Sequence, residues 1–133
     1  MIYLDTSALV KLIRREDESD ALGDWLDERI HMPWITSALA EVELARAIRA
    51  AAPEGLPAVP SLLARLDRFE IDPVIRSTAA AYADSGLRTL DAIHLATAQT
   101  AAAAAPLTAF VTYDSRLAEA AQRLAITAVV APA

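Results

Sequence analysis

The sequence contains no cysteine, so disulfides and thiolate metal sites are excluded. Nothing argues for an oxidising compartment. Aromatic residues make up only 5% of the chain, while alanine is abundant, a balance that favours closely packed helices. Lysine occurs once, at Lys11, and the other basic residues are arginines. No apolar stretch approaches the ~20 residues that a membrane span needs. The N-terminus lacks a basic leader and Asp5 interrupts its apolar run, so a signal peptide is not expected. The expectation is a soluble, cytoplasmic protein with no membrane partner. Disorder is excluded by a hydrophobic content of 55%. The 133 residues suffice for one domain with one core and are too few for two ordinary ones.

The net charge of −6 argues against a generally basic nucleic-acid footprint. The arginines nevertheless come in pairs: Arg14 with Arg15, Arg46 with Arg49, Arg65 with Arg68. A guanidinium suits bidentate contact with phosphate or carboxylate. For any single arginine the plainer reading, a solvated helix face, is preferred.

Strand-like and helix-like segments alternate along the chain. "MIYL" reads as a buried strand and "TSALVKLIRRE" as the helix after it. Residues 17–29 form an amphipathic helix through Leu22, Trp25 and Leu26. "HMPWITS" is a second strand, and Ser37 is a plausible N-cap for the helix "ALAEVELARAIRAA". "PEGLP" breaks that helix. "SLLARLDRF" reads as a helix and "FEIDPV" as a short strand. Residues 74–85 look helical, "TLDAIHLATAQTAAAAA" is a long helix, and "TAFVTYD" is a strand. "SRLAEAAQRL" is a helix and "AITAVVAP" a final strand. The alternation predicts an α/β fold with a mostly parallel sheet. In such folds ligands bind outside the carboxyl ends of the strands.

That rule draws attention to the acidic residues. Asp5 and Asp114 each end a predicted strand, so parallel strands would put both at one sheet edge. Glu41 and Glu43 lie in the first turns of the helix after strand two. Asp91 lies in the first turn of the long helix, but no strand is predicted to feed it. Two carboxylates ~4 Å apart repel by roughly 4 kcal/mol at an effective dielectric of about 20. A converging cluster must take up protons or bind a cation, and oxygen-only ligands suit Mg²⁺ or Mn²⁺. Such ions promote phosphodiester hydrolysis. Each residue also has a plainer role. Asp5 and Asp114 can be N-caps, and Glu41, Glu43 and Asp91 can be first-turn acids favoured by the helix dipole. His94, three residues after Asp91, is a possible ligand, but in an alanine-rich helix it reads first as a packed residue. Glu41 and Glu43 flank the apolar stripe Ala40, Leu44, Ala47 and Ile48 on opposite edges, and helix phase does not choose between them.

The blocks "MIYLDTSALVKL", "TSALAEVELARAIR", "LRTLDAIHLATA" and "FVTYDSRLAEAA" resemble the motifs of PIN-domain ribonucleases, above all the VapC toxins of bacterial toxin–antitoxin pairs. Order and spacing match from Met1 to about Ala121. The resemblance implies one PIN-like domain over residues 1–133, a three-layer α/β/α fold with a mostly parallel sheet of about five strands. It places the family's acidic positions on Asp5, Glu43, Asp91 and Asp114, with Glu41 at a variable position. Thr6, Ser7 and Thr112 match hydroxyl positions that support the carboxylates.

The implied activity is a Mg²⁺- or Mn²⁺-dependent endoribonuclease acting on cellular RNA such as tRNA or rRNA. Asp5, Asp91 and Asp114 would hold the metal, and Glu43 would complete the shell or orient the attacking water. The implied partners are a VapB-type antitoxin and a second toxin copy, in a homodimer or larger toxin–antitoxin assembly. Within the family, a nuclease of RNA processing or DNA cleavage, or a non-catalytic binding module, is the alternative. Two outsiders fare worse. A phosphoacceptor domain needs a late lysine, which the chain lacks. A phosphatase with a nucleophilic aspartate needs a second aspartate two residues after Asp5, where Ser7 stands.

Overall fold

Short apolar runs form the strands, and amphipathic or alanine-rich runs form the helices around them. The structure, a computed structural model, describes residues 1–126 and 128–133. The elements are β1 (Ile2–Leu4), α1 (Thr6–Lys11), α2 (Ser19–Asp27), β2 (Trp34–Ser37), α3 (Leu39–Ala51), a 3₁₀ turn (Pro53–Ala58), α4 (Val59–Ala64), β3 (Asp67–Phe69), α5 (Pro73–Ala81), α6 (Thr89–Ala104), β4 (Ala109–Val111), α7 (Ser115–Arg123) and β5 (Val129–Val130). The strands form one sheet in the order β3-β2-β1-β4-β5, and every pairing is parallel. This is the expected α/β architecture.

Strand alternation divides the core into two layers. Ile2, Leu4, Trp34, Ala109 and Val111 pack with Leu9, Leu22, Leu26, Leu44 and Ile48 from α1, α2 and α3. Tyr3, Ile35 and Phe110 point to the other face, against Leu95 and Ala98 of α6 and Leu117 and Ala121 of α7. Strands β1 and β4 are buried throughout, so they read as unbroken apolar runs rather than alternating ones.

The chain builds outward from β1 through β2 to β3, then returns to place β4 and β5 on the other side. The order therefore reverses between β1 and β4. A crevice outside the carboxyl ends of strands at such a switch point is where open α/β sheets bind ligands. Asp5 follows β1 and Asp114 follows β4, so the two flank that crevice.

Three expected boundaries shift. Helix α1 stops at Lys11 instead of reaching Glu16, because Ser19 Oγ donates to the Lys11 carbonyl and Lys11 Nζ turns to Glu18 at 2.7 Å. The third strand was expected over 69–74, but β3 pairs with β2 earlier, from Asp67 opposite Ile35 to Phe69 opposite Ser37. Asp72 then caps α5 by accepting from the Ile75 N–H, with Pro73 as the first helical residue, which ends any extended run there. The last strand covers Val129–Val130 only, and Thr127, expected within it, lies outside the described residues. Among the described residues no helix is long and apolar enough to cross a membrane.

Candidate active site

Asp5 is the residue at which β1 hands over to α1. It is 2% exposed and caps α1, accepting from the Ala8 N–H at 3.0 Å. Ser7 Oγ donates to the same Oδ1 at 2.7 Å, and Thr112 Oγ1 donates to Oδ2 at 2.5 Å. The cap role and the strand-end position thus coexist. A carboxylate oxygen has two lone pairs. Oδ1 is saturated, and Oδ2 keeps one free. Burial pushes the Asp5 carboxyl above the ordinary aspartate range, against the positive end of His94 and the hydrogen bonds from Ser7, Thr112 and Ala8.

Thr112 and Ser7 also tie β4 to this corner. Thr112 Oγ1 accepts from the Asp114 N–H at 3.1 Å, and Ser7 Oγ accepts from the Tyr113 N–H at 2.8 Å. Asp114 caps α7 through Oδ1, which accepts from the Arg116 and Leu117 N–H groups at 2.9 and 3.2 Å. Its Oδ2 accepts nothing among the described residues.

Glu43 reaches the same corner from α3. Its Oε1 accepts from Thr6 Oγ1 at 2.7 Å and lies 2.7 Å from His94 Nε2. Partial burial pushes its carboxyl up, but the His94 hydrogen bond and positive field, with the Thr6 hydroxyl, outweigh it and hold Glu43 below the ordinary range. Glu41 points elsewhere and pairs with Arg68 of β3 at 2.8 Å. Helix phase left these two glutamates undecided; their tertiary partners separate them. Arg46, one helical turn after Glu43, is exposed and makes no ion pair with it among the described residues, because Glu43 turns inward.

Asp91 sits in the first turn of α6. That helix runs back to the amino end of β4, so its own start lies towards the carboxyl edge, without a strand feeding it. Burial pushes the Asp91 carboxyl above the ordinary range, and the charges of Asp114, Glu43 and Asp5 push it further, against the pull of His94. No hydrogen bond relieves it among the described residues. The negative charges of Asp5, Glu43 and Asp114 thus all bear on the Asp91 carboxyl.

The donor set is all oxygen: one lone pair on Asp5 Oδ2, Glu43 Oε2, both oxygens of Asp91 and Asp114 Oδ2. Among the described residues no three acidic or histidine side chains form a ready-made cation cage. Magnesium does not require one, because it keeps several waters and takes one or two carboxylates with substrate phosphate. The residues fit such an ion.

His94 is 2% exposed, as a packed histidine should be, yet it touches the site through Glu43. Sequence reasoning weighed it only as a ligand or a packed residue. Tyr3, whose hydroxyl lies 2.6 Å from His94 Nδ1, was read only as strand. The available signal was a buried tyrosine, whose hydroxyl needs a partner. Beside Asp91 a cleft of about 250 Å³ is lined by Asp84, Leu87, Arg116, Glu119 and Arg123. Arg123 is paired with Asp84. Three of the six arginines paired in the sequence have structural partners: Arg15 pairs with Asp20, Arg68 with Glu41, and Arg65 lies 4.0 Å above the Trp34 ring.

Residues 2–123 match the family model of the PIN domain. The chain is 76% identical over 132 residues to Ribonuclease VapC35 of Mycobacterium tuberculosis, covering 99% of this chain and 97% of that one. Among solved structures, it is similar to Mycobacterium tuberculosis VapC20, a sarcin-ricin loop cleaving toxin, with TM-score 0.72 and 13% identity over 90% of this chain and 95% of that one. A toxin–antitoxin complex from Klebsiella pneumoniae aligns with TM-score 0.70 and 20% identity, over 100% of this chain and 98% of that one. The chain therefore belongs to the PIN-domain family, and within it to the VapC type.

Proposed function

We propose that this chain is a Mg²⁺- or Mn²⁺-dependent endoribonuclease toxin, held inactive by an antitoxin of the VapB type. It works in the cytoplasm, as one domain over residues 1–133, on cellular RNA such as tRNA or rRNA. It assembles as a homodimer or a larger toxin–antitoxin complex. The observation that carries the reading is Asp91. Its half-buried carboxyl has no hydrogen bond among the described residues and is pushed up by burial and by the negative charges of Asp114, Glu43 and Asp5, a repulsion that a divalent cation would relieve. The 76% identity to a protein named a ribonuclease supports the activity, and the fold shared with a toxin–antitoxin complex supports the partner. The acidic net charge of −6 suits a basic inhibitory segment.

Asp5, Asp91 and Asp114 would hold the ion, directly or through water. A bound Mg²⁺ or Mn²⁺ supplies Lewis-acid polarisation of the scissile phosphate and eases loss of a proton from an attacking water. Glu43, held ionised, accepts a hydrogen bond from that water through Oε2 and aligns it with the phosphorus. In-line attack breaks the bond to O3′ and leaves a 5′-phosphate and a 3′-hydroxyl. Arg116, in the cleft beside Asp91, is placed to contact phosphate. The mechanism needs no lysine or histidine as acid or base.

The test is to map new RNA 5′ ends in cells after inducing the wild type and Asp5→Ala. Ends present with the wild type and absent with the variant are expected and identify the substrate. Identical end profiles would refute the reading.

A further inference from the structure

The residues that lead from β4 into α7 lie outside regular structure, and two of them govern carboxylates. Thr112 seats Asp5, and Asp114 is itself a candidate ligand. Their backbone N–H groups are held one by one. Thr112 donates to the Val130 carbonyl at 3.1 Å, Tyr113 to Ser7 Oγ at 2.8 Å and Asp114 to Thr112 Oγ1 at 3.1 Å. The last two acceptors are the hydroxyls that donate to Asp5. A shift of the Tyr113 backbone would therefore be felt at both carboxylates. The Tyr113 side chain has two partners of its own. Its hydroxyl donates to the Pro132 carbonyl at 2.6 Å, and a carbonyl can only accept, so the direction of that bond is fixed. The ammonium of Lys11 lies over the ring, 4.6 Å from its centroid. Lys11 is the chain's one lysine. Only 10% of its side chain is exposed, and Glu18 and Glu16 hold the ammonium at 2.7 and 3.4 Å. A partly desolvated ammonium over an aromatic face is attracted by the ring quadrupole.

We propose that Tyr113 is a positioning residue for Asp5 and Asp114, clamped by Lys11 at the end of α1 and by Pro132 in the C-terminal segment. The proposal rests on the nuclease reading for its catalytic consequence. The hydroxyl is engaged by Pro132 and the ring by Lys11, so Tyr113 acts through the backbone it fixes. That backbone sets Ser7 Oγ, which in turn donates to Asp5 Oδ1 at 2.7 Å. The neighbouring Asp114 is held by the same short segment. Val130 and Pro132, whose carbonyls secure the segment, both lie beyond residue 123, outside the part of the chain that matches the PIN-domain model. The C-terminal segment and the single lysine, neither of which enters the crevice chemistry, thus acquire a role in it. Contacts of this kind, one step behind a ligand, hold a reactive group in place.

The experiment reads the backbone, the metal and the rate separately. Tyr113→Phe keeps the ring and removes the hydroxyl. Lys11→Met keeps the stem and removes the charge, and Lys11→Arg restores a cation. In the metal-free protein, amide hydrogen exchange at Tyr113 and Asp114 should quicken roughly 3–10-fold in Tyr113→Phe and Lys11→Met, while the amides of Leu44 and Leu95 keep their wild-type rates. Lys11→Arg should exchange like the wild type. Titration with Mn²⁺ should show affinity weakened about 3–10-fold in Tyr113→Phe and Lys11→Met, and kcat for RNA cleavage should fall by a similar factor with KM unchanged. Unchanged Mn²⁺ affinity and kcat in Tyr113→Phe would overturn the proposal. So would equal quickening of the Leu44 and Leu95 amides, which would mark a general loss of stability instead of a local clamp. The expected exchange pattern in proteins that neither bind Mn²⁺ nor cleave RNA, the wild type included, would sink the nuclease reading and leave the clamp standing.

Discussion

Thr112 Oγ1 donates to Asp5 Oδ2 at 2.5 Å, joining residues 107 positions apart across the β1–β4 boundary. The same oxygen accepts from the Asp114 N–H at 3.1 Å. One hydroxyl thus sets the spacing of two carboxylates delivered by different strands. Thr112→Val, nearly isosteric, removes the donor and leaves a buried carboxylate oxygen and a backbone N–H unpaired. The expected cost is about 1–3 kcal/mol in denaturant unfolding, with cleavage reduced roughly 10–100-fold. A stable variant of full activity would show that this contact does not matter.

Asp5 combines a cap with a free lone pair, and substitution separates the two. Asn and Ser are both good N-caps. Asp5→Asn and Asp5→Ser should therefore melt close to the wild type in metal-free buffer. Cleavage should fall on the order of 100-fold or more, because neither side chain brings the charge. Retained cleavage in either variant would reduce Asp5 to a cap.

The two glutamates of α3 provide an internal control. Glu43→Gln removes the charge that orients water, with an expected loss of roughly 100-fold or more in kcat. Glu41→Gln breaks only the exposed pair with Arg68, worth about 0–1 kcal/mol, and should leave kcat within twofold (~2). Equal losses in the two variants would misplace the site.

Asp91 makes a prediction about pH. The folded chain holds the Asp91 and Asp5 carboxyls above the ordinary aspartate value of 3.8, so it binds more protons than the unfolded chain just above that pH. Stability of the metal-free protein from these groups therefore falls as pH rises from 3.8 through their folded values. Glu43 acts in the opposite sense. Its contribution is present above 4.5 and is lost as pH falls through its depressed folded value. Asp91→Asn removes the repelled charge, so in EDTA at neutral pH it should raise Tm by a few degrees while abolishing cleavage. Excess Mg²⁺ should raise the Tm of the wild type by mass action and not that of the variant. An Asp91→Asn Tm at or below the wild-type value would contradict the electrostatic picture.

The sheet was readable because β1 and β4 are buried on both faces and carry unbroken apolar runs. Asp5 and Asp114 followed from strand ends. Asp91 did not, because α6 begins after a loop, and only motif resemblance placed it. Glu43 was separated from Glu41 by resemblance alone, since the deciding partner, His94, lies 51 positions away and leaves no local trace. Strand β3 was placed too late because it is a largely exposed edge strand, "DRF", whose pairing to β2 outweighs its composition.

The pairing of β1 with β4 has a consequence for synthesis. The Asp5 corner of the crevice needs residues from both ends of the chain: Asp5 emerges first, and Thr112 and Asp114 emerge near the end. A growing chain on the ribosome has β2 beside β1 but lacks both β4 on the other side and the hydroxyl that seats Asp5. Parallel pairings of this separation close late in folding. For a toxin, that order of events keeps the unfinished polypeptide without its assembled crevice until synthesis is nearly complete.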